Sequence, residues 1–229
     1  MTPIQGTNVS ETINGTSGDD FIVTGDGDDT VNAAGGDDTI FGNGGGDNDI
    51  RAGAGDDLIS DGSGDSILRG SNGNDSISGG AGQDRIFGGF DDDSLFGDSG
   101  NDFIYGNSND DFLSGGVGND FLNGGDGADT LTGDEGKDTL VGGDGIDHLT
   151  GGQGQDRFLY NLAIFDGLTD VVMDFESGID EIKFDADRDF TVTIEHSGDN
   201  YVVVATNNST GDSFDVLTSA NEIVASDIV

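Results

Sequence analysis

Residues 79–87 read GGAGQDRIF, and this nine-residue pattern recurs along most of the chain. Clean copies include GGVGNDFLN at 115–123 and GGDGIDHLT at 142–150. Cut in this register, residues 15–159 hold 16 copies, with one inserted residue, Gly42, after the third copy. A degenerate copy, GTNVSETIN, precedes them at 6–14. A period this regular over so many copies indicates a repeat architecture.

Three positions of the repeat are nearly constant. The eighth residue is apolar in every copy, the sixth is Asp in 14 of 16, and the fourth is Gly in 14 of 16. The sixth-position exceptions are Asn48 and Ser66, and the fourth-position exceptions are Asp91 and Asn109. Six residues rich in Gly, Asp, Asn and Ser favour a turn, since glycine permits positive φ. The other three predict a short strand with its central apolar side chain inward.

Composition narrows the function classes. The chain has 229 residues, with 47 acidic against 7 basic side chains and a net charge of -40. Nucleic acid is therefore not an expected partner, because phosphate binding needs clustered Lys and Arg. There is no Cys, which excludes disulfides and thiolate sites. No apolar run approaches the length of a membrane span. With 32% hydrophobic residues the chain would be expected to be disordered, unless something neutralises its carboxylates.

The pattern GGxGxDxUx, where U is apolar, resembles the haemolysin-type RTX calcium-binding repeat. The resemblance covers residues 6–160 and implies an all-β fold, a right-handed parallel β-roll with a strand-rich C-terminal cap. Two repeats then form one coil of 18 residues, so the 16 copies predict about eight coils. The expected domains are an N-terminal cap at 1–14, the calcium-binding roll at 15–159, and a C-terminal cap with a secretion signal at 160–229.

The residues themselves also require a cation. One buried apolar residue in nine makes a thin core, and stacked coils would align carboxylates about 4.8 Å apart. Without a counter-ion that arrangement is repulsive. Carboxylates and turn carbonyls form an all-oxygen ligand set, which favours calcium over zinc or copper. Magnesium holds its waters too tightly to accept many main-chain carbonyls.

In the resembled family each ion lies between turns of adjacent coils, bound by the sixth-position Asp and by turn carbonyls. Carried over to this chain, the sixth positions form two rows. The first row is Asp20, Asp38, Asp57, Asp75, Asp93, Asp111, Asp129 and Asp147. The second row is Asp29, Asn48, Ser66, Asp84, Asp102, Asp120, Asp138 and Asp156. The expected carbonyl ligands belong to Gly79, Gly80, Gly82, Gly97, Gly100, Gly115, Gly116, Gly118, Gly124, Gly125, Gly127, Gly142, Gly143, Gly145, Gly151, Gly152 and Gly154.

The expected number of calcium ions follows from the gaps within each row. Seven gaps in the first row and four in the second have carboxylates on both sides, which predicts about 11 ions. Ions should be weak or absent beside Asn48 and Ser66, where a carboxylate is missing.

The segment 170–182 resembles the block D-x-I-x-D-F-x-x-G-x-D-x-I that follows RTX repeats and closes the open end of the roll. Asp170, Asp174 and Asp180 are candidate ligands of a further ion, or alternatively carboxylates that cap turns. Strands are expected at 190–195 and 201–205, from alternating and continuous apolar residues.

Export is expected by type I secretion, which places the protein outside the cell or on its surface. Residues 222–229 partly match the uncleaved C-terminal signal of that route in the resembled family. Residues 1–14 show no N-terminal signal.

The side chains that face outward leave two interpretations open. Every basic residue before position 160 lies on the side of the second row: Arg51, Arg69, Arg85, Lys137 and Arg157. These residues either balance local charge or contact an acidic partner or polysaccharide. On the same side, Phe87, Phe103, Tyr105 and Phe121 either pack against residues 160–229 or a second copy, or form a ligand platform.

No catalytic residue is expected. His148 and His196 are interpreted as surface residues, and no catalytic domain is expected in the 14 residues before the repeats. Two functions remain. The first is a secreted calcium-binding module that folds on binding extracellular calcium. The second is a surface-layer or adhesive protein whose roll binds glycans or other copies of itself.

Overall fold

The computed structural model describes residues 3–160, 170–176, 179–184, 190–197, 200–207 and 213–218. Within these ranges every regular element is a β-strand, which confirms the expected all-β class. The strands are β1 (Ile4–Gln5), β2 (Thr12–Asn14), β3 (Phe21–Val23), β4 (Thr30–Asn32), β5 (Thr39–Phe41), β6 (Asp49–Ala54), β7 (Leu58–Ser60), β8 (Ile67–Asn72), β9 (Ser76–Ser78), β10 (Arg85–Phe90), β11 (Ser94–Phe96), β12 (Phe103–Ser108), β13 (Phe112–Gly118), β14 (Phe121–Asp126), β15 (Thr130–Gly136), β16 (Thr139–Asp144), β17 (His148–Gly154), β18 (Arg157–Tyr160), β19 (Asp170–Val172), β20 (Glu181–Phe184), β21 (Phe190–Ser197), β22 (Asn200–Asn207) and β23 (Ser213–Thr218).

Successive strands alternate between two parallel sheets. The odd-numbered strands β1 to β19 form the first sheet and the even-numbered strands β2 to β20 form the second. Ile86 pairs with Ile104 one coil later, a separation of 18 residues, so each coil contains two repeats. The result is a β-solenoid of about nine turns, one more than the repeat count predicts.

The ladders of both sheets extend beyond the repeats at each end. Ile4 pairs with Ile22 in the first sheet, and Ile13 pairs with Val31 in the second. At the other end Phe158 pairs with Ile182 in the second sheet. These strands supply the additional turn. The division into separate caps at 1–14 and 160–229 stays a prediction.

The core consists mainly of the eighth-position side chains, which stack in a line between the two sheets. All of them, from Ile22 through Leu95 to Phe158, are buried, as the repeat pattern predicts. The flanking residues face outward, as in β3, where Phe21 is exposed on one side of the buried Ile22. Apart from the small side chains of Ala33 and Ala52, only one side chain per repeat enters this core, so the turns carry much of the contact between coils.

Most fourth-position residues, all except Gly18 and Gly46, lie in the left-handed region of the backbone. Where the fourth residue is not glycine it is Asp91 or Asn109, with φ of 76° and 79°. Asp and Asn tolerate this region better than most residues. At Gly100, a Cβ atom would overlap the carbonyl oxygen of Gly82 in the preceding coil. The turns therefore stack at a distance that leaves no room for a side chain.

The C-terminal strands lengthen the first sheet. Strand β23 pairs in parallel with β19, and β21, β22 and β23 are joined by antiparallel pairing. Strands β21 and β22 contain the predicted strands at 190–195 and 201–205. No helix in the described ranges is long and apolar enough to cross a membrane.

Candidate calcium sites

One oxygen of each sixth-position side chain after Asp20 is fixed by the neighbouring coil. The Asp93 N–H donates to Oδ1 of Asp111 at 2.8 Å, and the Asp75 N–H donates to Oδ1 of Asp93 at 2.8 Å. The same bond repeats down both rows. It includes Asn48, whose Oδ1 accepts from the Asp29 N–H at 2.9 Å, and Ser66, whose Oγ accepts from the Asn48 N–H at 3.0 Å. This ladder holds each carboxylate between two coils.

The second oxygen of most of these carboxylates is buried without a donor. Oδ2 has no hydrogen-bond partner in Asp29, Asp38, Asp57, Asp75, Asp84, Asp93, Asp102, Asp111, Asp120, Asp129, Asp138 and Asp156. Burial of an anionic oxygen without a partner is strongly unfavourable. The arrangement therefore requires a positive charge beside each Oδ2.

The unpartnered oxygen faces a small space beside the first-position glycine of its own repeat. A Cβ atom on Gly97 would lie 2.5 Å from Oδ2 of Asp102 and 2.5 Å from the carbonyl oxygen of Gly115. A Cβ atom on Gly133 would lie 2.5 Å from both Oδ2 of Asp138 and the carbonyl oxygen of Gly151. A carboxylate and a carbonyl from the next coil thus face the same space, which glycine leaves open.

This donor set fits calcium. In the described part of the chain, no three His, Cys, Asp or Glu side chains converge on one point. An ion at these turns would therefore need main-chain carbonyl oxygens as well, and calcium accepts such mixed oxygen sets.

The expected glycine carbonyls differ in the contacts they make. The first-position carbonyls of Gly115 and Gly151 face the unpartnered carboxylates, as described above. The second-position carbonyl of Gly80 instead accepts the Ser99 N–H at 2.9 Å and contributes to the ladder between coils. The assignment of individual ligands stays a prediction.

Burial raises the pKa of several sixth-position carboxyls in the middle of the rows, among them Asp75, Asp93 and Asp111. Desolvation is the main cause and neighbouring carboxylates add to it, so that the pKa of Asp93 is about 8 and the pKa of Asp75 and of Asp111 is about 7. Hydrogen bonds from the main chain lower these pKa values but do not offset burial. In the absence of a cation these groups would bind protons near neutral pH.

At the ends of the rows the second carboxylate oxygen does have a hydrogen-bond donor, which comes from a residue nearby in the sequence. Oδ2 of Asp20 accepts from the Thr16 N–H at 2.6 Å and from the Thr16 hydroxyl at 3.0 Å. Asp180 accepts from the Glu176 N–H at 2.8 Å through Oδ2 and from the Asp156 N–H at 3.0 Å through Oδ1.

The other two candidate ligands of the segment 170–182 also accept main-chain N–H groups. Asp174 uses both oxygens to accept the N–H groups of Gly151 and Gly152. Asp170 extends the first row by accepting the Asp147 N–H at 3.1 Å. These bonds favour the turn-capping interpretation for Asp174 and Asp180.

A second ladder, on the fifth position, is not predicted by the sequence analysis. Oδ1 of Asp92 accepts from the Asp110 N–H at 3.2 Å, and Oδ1 of Asp110 accepts from the Ala128 N–H at 2.8 Å. Several fifth-position residues, among them Asp92 and Asp110, are exposed. The frequent Asp and Asn at this position are the signal that could have identified this role.

Comparison with known proteins gives a family match. The family model described as RTX calcium-binding nonapeptide repeat (4 copies) matches residues 5–40, 42–69, 60–95, 69–104, 96–131, 105–140 and 132–161.

The other two comparisons add little. No curated protein sequence matches this chain. A solved structure that matches is the AlgE6R3 subunit of the mannuronan C5-epimerase from Azotobacter vinelandii, with a TM-score of 0.42 and 27% sequence identity, covering 54% of this chain and 80% of that chain. This likeness is too distant to assign any property of that protein to this chain.

Replacing a buried sixth-position carboxylate should remove calcium. Asp93→Asn keeps the Oδ1 acceptor but loses the unpartnered anionic oxygen, so the chain should bind about one to two ions fewer. Native mass spectrometry in calcium gives the ion count. The matched control is Asp92→Asn, which removes the same charge from an exposed neighbour and should leave the count unchanged. Equal losses in the two variants would contradict this assignment.

Acid should partly replace calcium in the metal-free chain. Because the folded-state pKa values are raised, the folded chain binds more protons than the unfolded chain between about pH 4 and pH 8. Its stability should therefore rise as the pH falls from about 8 to 5. Far-UV circular dichroism of protein freed of metal on a chelating resin measures this, with a calcium-saturated sample as the control that changes little. Loss of β-structure over this range would contradict the raised pKa values.

Proposed function

We propose that this chain, which belongs to the RTX calcium-binding nonapeptide repeat family, is a secreted calcium-binding module. It folds on binding extracellular calcium and leaves the cell by type I secretion. The role proposed is structural, carried by the calcium-loaded roll, and it includes no catalytic step. His148 is exposed on β17, and the side chain of His196 lies outside the described residues.

The unpartnered Oδ2 atoms carry this proposal. Each buries an anionic oxygen that the polypeptide does not satisfy, and the whole chain has a net charge of -40. At submicromolar calcium, charge repulsion would favour an extended chain. At the millimolar calcium outside cells, ions that bind only the folded form would shift the equilibrium towards the roll by mass action.

Secretion is supported by the family and by the calcium dependence that the site implies. A chain that stays unfolded until it meets calcium would suit passage through a narrow exporter and resist return once folded. The proposed C-terminal signal at 222–229 lies outside the described residues. Secretion and the extracellular or cell-surface location are therefore part of the proposal.

Calcium titration followed by far-UV circular dichroism tests the folding proposal. The chain should lack the β-sheet signal in chelator and gain it cooperatively as the calcium concentration rises. The reason is that the carboxylates of each row can stack in successive coils only when their charge is neutralised. Magnesium at the same concentration is the control and should be much less effective. A chain that shows the full β-sheet signal in chelator at neutral pH would rule the proposal out.

A second candidate function, a surface-layer or adhesive protein, is favoured by the outer face of the second sheet. Phe87 stacks on Tyr105 with ring centroids 5.2 Å apart, and Phe103 remains 42% exposed. On the same face the Arg69 guanidinium lies 5.8 Å from the centre of the Phe87 ring and forms an ion pair with Asp49. These pairings support local charge balance for Arg69, while the exposed ring supports a contact surface.

Light scattering separates the two candidates. The secreted-module proposal expects the chain to compact in calcium and to remain a monomer. Calcium-dependent growth in molar mass would support the second candidate, provided that Phe103→Ser abolishes it. The control is Phe21→Ser, which removes an exposed ring from the other sheet.

A further inference from the structure

The second row lacks its sixth-position carboxylates at Asn48 and Ser66, and a carboxylate from a different repeat position lies beside this interruption. Asp61 occupies a first position, where glycine is the usual residue, and no other first position of the 16 repeats is acidic. It is buried, with 8% of the residue exposed. An unusual acidic side chain therefore lies inside the fold where the row lacks two of its usual carboxylates.

Main-chain hydrogen bonds place Asp61 one coil after Gly42. The Gly42 N–H donates to the carbonyl of Ser60, and the Asp61 N–H donates to the carbonyl of Ser78, so the two residues occupy equivalent places in successive coils. The Asp61 side chain points back towards the earlier coil, because a Cβ atom on Gly42 would overlap its Oδ1. The Asp61 carboxylate therefore lies in the gap between these two coils.

The two oxygens of Asp61 have different surroundings. Oδ1 accepts from Nδ2 of Asn48 in the preceding coil at 2.8 Å. The Asn48 amide is itself oriented, since its own Oδ1 accepts the Asp29 N–H at 2.9 Å. Oδ2 of Asp61 is buried and has no hydrogen-bond partner. Asp61 thus reproduces the arrangement of the sixth-position carboxylates, in which the adjacent coil holds one oxygen and leaves the other without a donor.

The polypeptide also leaves the charge of Asp61 without compensation. In the described part of the chain, neither of the two ion pairs includes Asp61. Burial raises the pKa of the Asp61 carboxyl, because its charged form loses hydration. A buried carboxylate oxygen with neither a donor nor a basic partner needs a cation or a proton.

The oxygen atoms near Asp61 favour calcium over a proton. Asp61 is the counterpart of Gly115, whose carbonyl oxygen and Oδ2 of Asp102 both face the space beside Gly97 in the preceding coil. By this equivalence, Asp61 brings a main-chain carbonyl and a carboxylate to the same gap. Calcium binds such mixed oxygen sets. Because Oδ1 of Asp61 already fills the space beside Gly42, the ion would lie on the side of Oδ2.

A second buried carboxylate increases the benefit of a cation here. Burial raises the pKa of Asp84 to about 6, and Asp61 is the first of the neighbouring charges that raise it further. Oδ2 of Asp84 is likewise buried without a hydrogen-bond partner. A cation beside Asp61 would therefore also reduce the repulsion between these two carboxylates.

We infer that the gap between Asn48 and Ser66 holds a calcium ion, bound by the Asp61 carboxylate in place of the missing sixth-position carboxylates. The inference rests on the proposed function, because it adds a site to a roll whose other turns bind calcium. It also differs from the expectation drawn from the sixth positions, which leaves this gap weak or empty. A substitution at the first position thus preserves the ion where the repeat motif is lost.

Counting bound ions in variants tests the inference. Asp61→Asn keeps an Oδ1 acceptor for Nδ2 of Asn48 and removes the anionic oxygen that would bind the ion. In calcium it should bind one ion fewer than the original chain, as measured by native mass spectrometry. The matched control is Asp65→Asn, which removes a charge from an exposed residue of the same turn and keeps the acceptor for the Gln83 N–H. It should leave the ion count unchanged.

A crystal of the original chain grown in calcium gives a second measurement, which does not depend on the folding of a variant. Anomalous scattering at a long X-ray wavelength locates calcium directly. A peak should lie about 2.4 Å from Oδ2 of Asp61. Peaks beside Oδ2 of Asp93 and Asp111 serve as the reference for occupied turns.

Two outcomes would overturn the inference. One is an Asp61→Asn chain that folds, by circular dichroism, and keeps the full ion count. The other is a crystal with peaks at the reference turns and none at Asp61. In either case a proton rather than calcium neutralises Asp61. An original chain that binds no calcium contradicts the proposed function as well, whereas ions confined to the other turns contradict only the site at Asp61.

Discussion

A sixth-position carboxylate has two oxygens that need a partner, and at most positions the polypeptide provides a hydrogen-bond donor to only one of them. Oδ1 accepts a main-chain N–H from the adjacent coil, which fixes the side chain inside the turn. Oδ2 is buried beside a glycine and has no donor at most positions. Since the same side chain recurs in nearly every repeat, the unmet charge grows with each coil added. On the proposed function, a longer metal-free roll would therefore not be a more stable one, because each further coil adds buried oxygens that a cation would have to satisfy.

Glycine makes this arrangement sterically feasible at two different positions. The first-position glycine leaves open the space that the carboxylate and the next carbonyl both face, as at Gly97. The fourth-position glycine lets successive turns approach each other more closely than a side chain would permit, as at Gly100. The high glycine content therefore reflects the packing of turn against turn rather than flexibility. It also explains how a chain with so few apolar residues can form contacts along its whole length.

The periodicity was sufficient to predict the core and the membership of both rows. A strict repeat of nine residues places every eighth side chain inside and aligns sixth positions 18 residues apart, as the pairing of Leu95 with Leu113 shows. The period could not predict features that depart from it. It did not reveal that Gly42 aligns with Asp61, because an insertion leaves open which residue of the turn is the extra one. Nor did it reveal that Asp61 reaches back to Asn48, since that contact depends on three-dimensional neighbours 13 residues apart.

Where local donors reach a carboxylate, the need for an ion at that place falls. This happens at the start of the first row, where Thr16 donates to Asp20, and at the end of the second, where Glu176 donates to Asp180. The Asp motif alone therefore sets an upper limit on the number of ions bound at sixth positions, and the distribution of donors decides which of these gaps need one. By this criterion the gap at Asp20 is the weakest of the first row, although the motif there is intact.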